Sequence, residues 1–89
     1  MPDFLKALLH KISPPQYTIR ISNCRAVLTG GKASMAFIRD CDEIARSKNI
    51  QSGWIWGLRT GNGTRLDFSS NISMGDRQRF RNIMGVHTE

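Results

Sequence analysis

Few residues of this chain could carry acid–base or metal chemistry. Asp40, Asp42 and Glu43 lie close together, and clustered carboxylates can bind a metal ion or transfer protons. This stretch is predicted to be helical, and residues two apart do not share a helix face. His10 and His87 lie near the two chain ends, with no catalytic partner nearby in sequence. We therefore expect a solvated acidic surface, no metal site and no enzymatic activity.

Motifs that bind cofactors are also missing from the sequence. It contains no phosphate loop, dinucleotide fingerprint, zinc spacing or nucleophile elbow, so no small-molecule cofactor is expected. Cys24 falls at a predicted strand start and Cys41 on the apolar stripe of a predicted helix, and they do not form a metal motif. We expect two small buried thiols rather than a disulfide, which fits a reducing cytoplasm.

Aromatic and basic residues offer a different chemistry, which is stacking and ion pairing. The formal charge of the 89-residue chain is +6, and nine of its 13 basic residues are arginine. Both tryptophans lie in residues 53–69, which are predicted to form a β-hairpin around Gly61-Asn62-Gly63. Small basic domains often bind nucleic acid, anionic lipid or acidic protein surfaces. The function of the chain therefore depends on whether the indoles are displayed or buried.

The length of this hairpin loop decides which face the tryptophans occupy, because side chains alternate along a strand. Leu66 and Phe68 are expected in the core, since the alternative would bury two charged residues. A three-residue loop over 61–63 pairs Trp56 with Phe68 and Leu58 with Leu66. Both tryptophans would then lie in the core, where a large apolar side chain contributes about 1.5–3 kcal/mol.

A two-residue loop at Asn62-Gly63 gives the opposite outcome. It pairs Gly57 with Phe68, so that Ile55 and Gly57 face the core. Asn-Gly is a strong hairpin signal because both residues adopt positive φ at little cost. The outer face would then carry Trp54, Trp56 and Arg65.

Residues 3–12 are predicted to form a short amphipathic helix with Asp3 at its start. An apolar stripe recurs at helical spacing, and Ser13-Pro14-Pro15 ends the helix. At about ten residues, such a helix needs a surface to pack on. Three surfaces are candidates, namely the domain itself, a second copy and a membrane. We therefore divide the chain into residues 1–15 and a single domain of residues 16–89. The stripe residues are Leu5, Leu8, Leu9 and Ile12.

Residues 17–29 are predicted to form a first hairpin with a two-residue turn at Ser22-Asn23. A turn at this position places the apolar residues of the two strands opposite each other. The outer face of the hairpin then carries Arg20 and Arg25. The expected pairs are Ile21–Cys24, Ile19–Ala26 and Tyr17–Leu28.

Two helices follow the hairpins. The first is predicted from about Ser34, its N-cap, to about Lys48. The second begins after Ser73 and is expected to end at Gly85, a typical C-cap residue. A constant spacing of 39 residues relates the two apolar stripes. The predicted fold is therefore α+β, with a ββα–ββα order. It comprises a four-stranded antiparallel sheet with two helices on one face, plus the short N-terminal helix.

Residues 17–86 resemble a family of short bacterial proteins of unknown function. The motifs that carry the resemblance are Phe37-Ile38-Arg39-Asp40-Cys41-Asp42-Glu43-Ile44-Ala45, Gly53-x-Ile55-x-Gly57, Arg65-Leu66-Asp67-Phe68-Ser69 and Gln78-Arg79-x-Arg81-Asn82. The resemblance implies no activity or catalytic residue. It implies that Ile55 and Gly57 pair with Leu66 and Phe68, which favours the two-residue loop and outward-facing tryptophans.

The sequence therefore predicts a non-catalytic binding module that acts through an open, basic and aromatic sheet face. A protein partner or a second copy is expected first, because Trp and Arg are enriched at interface hot spots. Single-stranded nucleic acid is the alternative, and a peripheral membrane role through residues 3–12 is a third. The location is expected to be cytoplasmic, including the surface of the inner membrane. Arg77 and Arg81 form a secondary basic face; they are four residues apart on one helix and repel each other unless they meet an anion. The predicted binding residues are Arg20, Arg25, Trp54, Trp56 and Arg65.

Overall fold

Two ββα units follow one another along the chain and share one sheet. The computed structural model describes residues 14–61 and 63–87, and the predicted N-terminal helix lies outside these residues. The strands form a four-stranded antiparallel sheet in the order β2-β1-β3-β4. This confirms the predicted α+β class, the sheet and its two helices. The elements are β1 (Tyr17–Ser22), β2 (Arg25–Gly31), α1 (Met35–Ser47), β3 (Ser52–Thr60), β4 (Gly63–Phe68) and α2 (Met74–His87).

The core lies between the inner face of the sheet and the two helices. Alternate residues of the strands point inward, and the helices cover them with their apolar stripes. Both helices therefore pack on the same face, as predicted. The buried cluster contains Tyr17, Ile19, Ile21, Ala26, Ile55, Leu66 and Phe68 from the strands and Phe37, Cys41, Ala45 and Phe80 from the helices.

The first hairpin turns one residue later than predicted. Its turn residues are Asn23 and Cys24, with φ angles of 53° and 60°, which are the left-handed values of a type I′ turn. The predicted turn at Ser22-Asn23 was wrong, and so were its three pairs. The observed pairs are Ser22–Arg25, Ile21–Ala26 and Ile19–Leu28. The shift moves the partners of Ile21 and Ile19 by two residues, so these pairs keep their predicted face. A register irregularity between Thr18 and Ile19 then places Tyr17 opposite Gly31.

The second hairpin settles the choice between the two loops. Gly57 pairs with Leu66 and Ile55 pairs with Phe68. Ile55 and Gly57 therefore share the inner face with Leu66 and Phe68, which is the face that the family resemblance implied. The three-residue loop is therefore wrong, and both tryptophans lie on the outer face. The predicted pairing of Gly57 with Phe68 is also wrong, because Thr60 pairs with Gly63 and the two-residue loop lies at 61–62. This shift is again by two residues and leaves the faces unchanged.

The chain enters the sheet along a fixed path at Gln16. The backbone N–H of Gln16 donates to the carbonyl oxygen of Gly57 at 2.7 Å, and its side-chain oxygen accepts from the Thr64 hydroxyl at 2.9 Å. Gly31 lies against this entry point with a φ of 74°, and a Cβ there would collide with the Gln16 carbonyl oxygen. Gln16 is therefore held beside Gly57 of β3.

Both helices begin as predicted, and the second runs past its expected end. The hydroxyl of Ser34 accepts from the Phe37 N–H at 3.1 Å, and that of Ser73 accepts from the Asp76 N–H at 3.2 Å. The predicted C-cap role of Gly85 is wrong, because α2 continues through this residue to His87. In the described part of the chain, no helix combines the length and apolar character needed to cross a membrane.

Candidate functional interface

Arg20 and Trp54 form the centre of the exposed outer face. They are directly opposite each other on the two central strands, β1 and β3. The guanidinium carbon of Arg20 lies 5.7 Å from the centroid of the Trp54 ring, which is a cation–π contact. Trp54 is 38% exposed and Arg20 is exposed. The structure thus places these two of the five predicted binding residues side by side on the outer face.

Val27 extends this surface onto the edge strand β2. Val27 pairs with Arg20 of β1, on the side of β1 that faces away from β3, and it is 56% exposed. A shallow depression of about 290 Å³ opens beside it, with Thr29 and Ser22 in its wall together with Arg20 and Arg25. We call Val27, Arg20 and Trp54 the exposed corner. Sequence reasoning missed Val27, although its outward position followed from the alternation of the first hairpin.

Trp56 lies on the same outer face but is not open to solvent. Its ring is nearly parallel to that of Trp54, with the planes 8° apart and the centroids 6.3 Å apart. Only 7% of Trp56 is exposed, against 38% of its neighbour. The prediction of an open face across both indoles is therefore wrong at this position. The outer face is covered at its Trp56 end and exposed at its Trp54 end.

Arg25 points over the sheet edge toward α1 and is already paired. Its Nε atom lies 2.9 Å from Oδ1 of Asp42. The same carboxylate accepts the backbone N–H of Ala26 at 2.9 Å and lies 3.3 Å from Nε of Arg46. The hydrogen bond from Arg25 is the main cause that lowers the pKa of Asp42, although partial burial opposes it. The guanidinium of Arg25 is therefore engaged by Asp42, although Arg25 also lines the depression.

Arg65 is separated from the other predicted binding residues. It is exposed on β4, opposite Leu58, whereas Arg25 is on β2 at the opposite edge of the sheet. Adjacent strands are about 4.8 Å apart, so three strand spacings place these two strands about 14 Å from each other. The five predicted binding residues therefore do not form one cluster. The structure brings Arg20, Trp54 and Trp56 together, through the cation–π contact of Arg20 with Trp54 and the parallel indole rings.

Ser69 anchors the start of β3 and so positions Trp54. It is 2% exposed, and its hydroxyl accepts from the Trp54 N–H at 2.9 Å and donates to Oδ1 of Asn71 at 2.7 Å. The amide of Asn71 in turn donates to the Ser52 carbonyl oxygen at 2.6 Å. In the sequence, Ser69 is only the last residue of one of the family motifs. Its contact with the backbone of Trp54 became visible only once the register of β3 and β4 was known.

Arg77 and Arg81 pack on an aromatic ring and do not form the predicted anion-seeking pair. Their guanidinium carbons lie 5.7 and 5.3 Å from the centroid of Phe68. Arg77 also donates to the carbonyl oxygens of Ile72 at 2.8 Å and Ser69 at 3.2 Å. Its donors therefore hold the loop between β4 and α2, and this residue is structural.

The two cysteines are free thiols, which confirms the prediction of no disulfide. Cys41 is buried as predicted, and burial raises the pKa of its thiol to about 12. The prediction that Cys24 is buried at a strand start is wrong. Cys24 lies in the turn of the first hairpin and is half-buried, and its Sγ atom lies 3.2 Å from Oδ1 of Asn49. Burial likewise raises the pKa of Tyr17 to about 12. Neither Cys41 nor Tyr17 is therefore ionised near neutral pH.

The acidic residues of α1 do not converge on one point. Asp42 is held by Arg25, Arg46 and the edge of β2, and Glu43 is exposed. Within residues 14–61 and 63–87, no group of three or more His, Cys, Asp or Glu side chains is arranged to hold a metal ion. What this surface offers chemically is cation–π stacking, a free guanidinium and apolar contact at the exposed corner.

Comparison with known proteins agrees with the resemblance in the sequence motifs. Searches of curated proteins and of solved structures gave no significant match. A family model described as a protein of unknown function, DUF3634, matches residues 8–88. This match covers the whole sheet, both helices and the exposed corner, and the chain belongs to the DUF3634 family.

Proposed function

We propose that this protein is a non-catalytic interaction module that binds a protein surface through its exposed corner. A second copy of the chain is the first candidate for that surface, and a different protein is the other. The proposal concerns a binding role only, because the side chains of the corner offer stacking, charge and apolar contact without a nucleophile or an acid–base pair.

The Arg20–Trp54 contact is the observation that carries this proposal. Both side chains are exposed, yet they are held in place by a central strand pair and by the Ser69 hydrogen bond to the Trp54 backbone. Arg20 makes no ion pair with any residue in the described ranges, so its charge is available to a partner. A preorganised Trp–Arg pair beside an exposed Val27 has the composition of an interface hot spot.

Sedimentation velocity across a concentration series tests self-association of the full chain. We expect a monomer–dimer equilibrium that weakens at least tenfold in Trp54→Ala and in Arg20→Gln, since truncating a hot-spot residue costs about 2 kcal/mol or more. Arg39→Gln is the matched control, because Arg39 is exposed on α1 and its loss removes the same charge.

Two results would contradict the proposal for a second copy. One is a single monomer mass at the highest protein concentration. The other is an association that Trp54→Ala and Arg20→Gln leave unchanged. Urea denaturation of each variant checks that the fold is retained, so that a loss of association is not caused by unfolding.

Single-stranded nucleic acid is a second candidate, favoured by the exposed indole beside a guanidinium. A base stacked on an aromatic side chain contributes about 1–3 kcal/mol, and binding through arginine weakens with salt. We expect a labelled dT oligonucleotide to bind at low salt and to lose affinity in Trp54→Ala but not in Arg39→Gln. Absence of binding at low salt excludes this candidate and leaves the protein-binding proposal in place.

A further inference from the structure

We propose that residues 3–12 of this chain dock on its own sheet as an amphipathic helix and cover the Trp56 end of the outer face. This inference goes beyond the proposed function. It concerns the covered end of the face, and it holds whether or not the exposed corner binds a partner.

The burial of Trp56 is the first observation behind this inference. Trp56 is an outward-facing residue on a central strand, opposite Thr18 on β1 and Asp67 on β4. Both described helices pack on the inner face of the sheet. The outer face of an antiparallel sheet is commonly solvated, but Trp56 is only 7% exposed. This end of the face therefore has a cover.

The entry point of the chain identifies the segment that can supply this cover. Gln16 is bonded to Gly57, the neighbour of Trp56, so the preceding residues emerge at the covered end. Ser13-Pro14-Pro15 is a spacer of three residues, which at about 3.1 Å per residue reaches about 9 Å. This length is close to the separation of about 10 Å between a sheet and a layer packed on it.

The length and pattern of the segment also match the surface. Ten helical residues span about 15 Å. The outer-face stripe from Leu58 through Trp56 to Trp54 extends over four residue steps along the strand, or about 13 Å. Every third or fourth residue of the segment is apolar, so one helix face can cover that stripe while the lysines remain in water. The docking residues on the segment are Leu5, Leu8, Leu9 and Ile12.

Placing a single tryptophan in the full chain tests the inference. The variant Trp54→Phe leaves Trp56 as the only indole, so its fluorescence reports the cover directly. We expect weak acrylamide quenching in this background. Adding Leu8→Glu should at least triple the quenching constant and shift the emission to longer wavelength. The matched control is His10→Glu, which introduces the same side chain on the opposite side of the predicted helix and should leave the quenching unchanged.

Two outcomes of this experiment would overturn the inference. If Leu8→Glu leaves the quenching of Trp56 unchanged while far-UV circular dichroism shows a folded chain, residues 3–12 are not the cover. If the quenching in the Trp54→Phe chain increases on dilution, the cover is a second copy.

A photo-crosslink provides a second measurement that does not depend on a destabilising charge. Benzoylphenylalanine at residue 9 of the otherwise unchanged chain should crosslink within one molecule to the peptides that contain Thr18 or Trp56. Crosslinks only to α1 or α2, or crosslinks only in species of dimer mass, would contradict the proposed docking. A single monomer mass of the unchanged chain in the sedimentation test, with this crosslink retained, would reject the second copy as the partner in the proposed function and leave the docking intact.

Discussion

At the scale of single residues, backbone groups at both sheet edges are satisfied by aspartates. Oδ1 of Asp42 accepts the N–H of Ala26 on edge strand β2, and Oδ1 of Asp67 accepts the N–H of Phe68 on edge strand β4, at 2.9 and 3.0 Å. Unpaired edge groups are templates for pairing with another chain. Each aspartate therefore occupies one edge N–H that a strand of another chain could otherwise pair with.

Asp42→Asn should destabilise the protein in a manner that depends on pH. The lowered pKa of Asp42 means that its ionised form is favoured by folding. Its contribution to stability is present above about pH 4, the pKa of an unfolded aspartate, and is lost as the pH falls through the lower folded value. We expect Asp42→Asn to unfold at lower urea concentration than wild type at pH 7, with the difference shrinking at pH 3. Glu43→Gln, on the exposed surface of the same helix, should show no such pattern.

Gly57→Ala should destabilise the core through one contact. A Cβ at residue 57 would lie 2.6 Å from Cε1 of Tyr17 and closer to two other ring atoms. The Tyr17 ring, which packs against Phe37 with centroids 5.7 Å apart, would have to move. Overpacking of this kind costs about 1–3 kcal/mol. Urea denaturation measures the loss, and Gly85→Ala is the control, since nothing lies within 4 Å of a Cβ there. Equal stability of the two variants would contradict this account of Gly57.

At the scale of elements, the loop from β4 to α2 depends on a side chain from the helix that follows it. Arg77 in the first turns of α2 reaches back to the carbonyl oxygens of Ile72, Ser69 and Ser70. Arginine can do this because its planar guanidinium presents several donors in fixed directions. This arrangement holds Ser69 where its hydroxyl can support β3, so the helix, the loop and the Trp54 backbone form one connected unit.

Arg77→Lys tests whether the geometry or the charge of this side chain matters. Lysine keeps the charge but cannot present the same fork of donors, so we expect a loss of about 1–2 kcal/mol in the free energy of unfolding. Arg81→Lys is the matched control, because Arg81 packs on the same ring and makes no hydrogen bond with the described residues, and its effect should stay within about 0.5 kcal/mol. Equal effects of the two substitutions would show that charge alone is needed.

At the scale of the whole molecule, two similar ββα units are joined through their first strands. Strands β1 and β3 pair at the centre of the sheet, with Tyr17 opposite Gly57 and Ile19 opposite Ile55. The core is one buried cluster to which both units contribute. Neither unit therefore has a separate core that could stay folded when the other opens.

Unfolding should consequently be a single cooperative transition. Tryptophan fluorescence reports β3 of the second unit, whereas far-UV circular dichroism reports both helices. We expect the two signals to give the same midpoint in urea, since small domains with one core unfold in an all-or-none manner. Separate midpoints would show that the units unfold independently.

The sequence by itself determined the element order and which residues of each strand share a face in the two hairpins. For β3 the two loop lengths gave opposite faces, and only the resemblance to the family favoured outward-facing tryptophans, which the register of β3 and β4 then showed. Alternation has a period of two, so the faces survive even where both turns were placed wrongly, as the shift of the Ile21 and Gly57 partners by two residues shows. Helix starts were also predictable, because Ser34 and Ser73 cap their own helices through contacts three residues away. All of these signals are local.

Only the tertiary structure decided how the outer face is divided. Alternation in the sequence predicts Arg25 and Arg65 on the same face of the sheet. The strand order places them on opposite edge strands, and Arg25 forms an ion pair with Asp42 of α1. Trp54 and Trp56 are both tryptophans of β3 that point to the outer face, yet Trp54 is exposed and Trp56 is buried. Alternation fixes the direction of a side chain, whereas coverage depends on which distant segments pack over it.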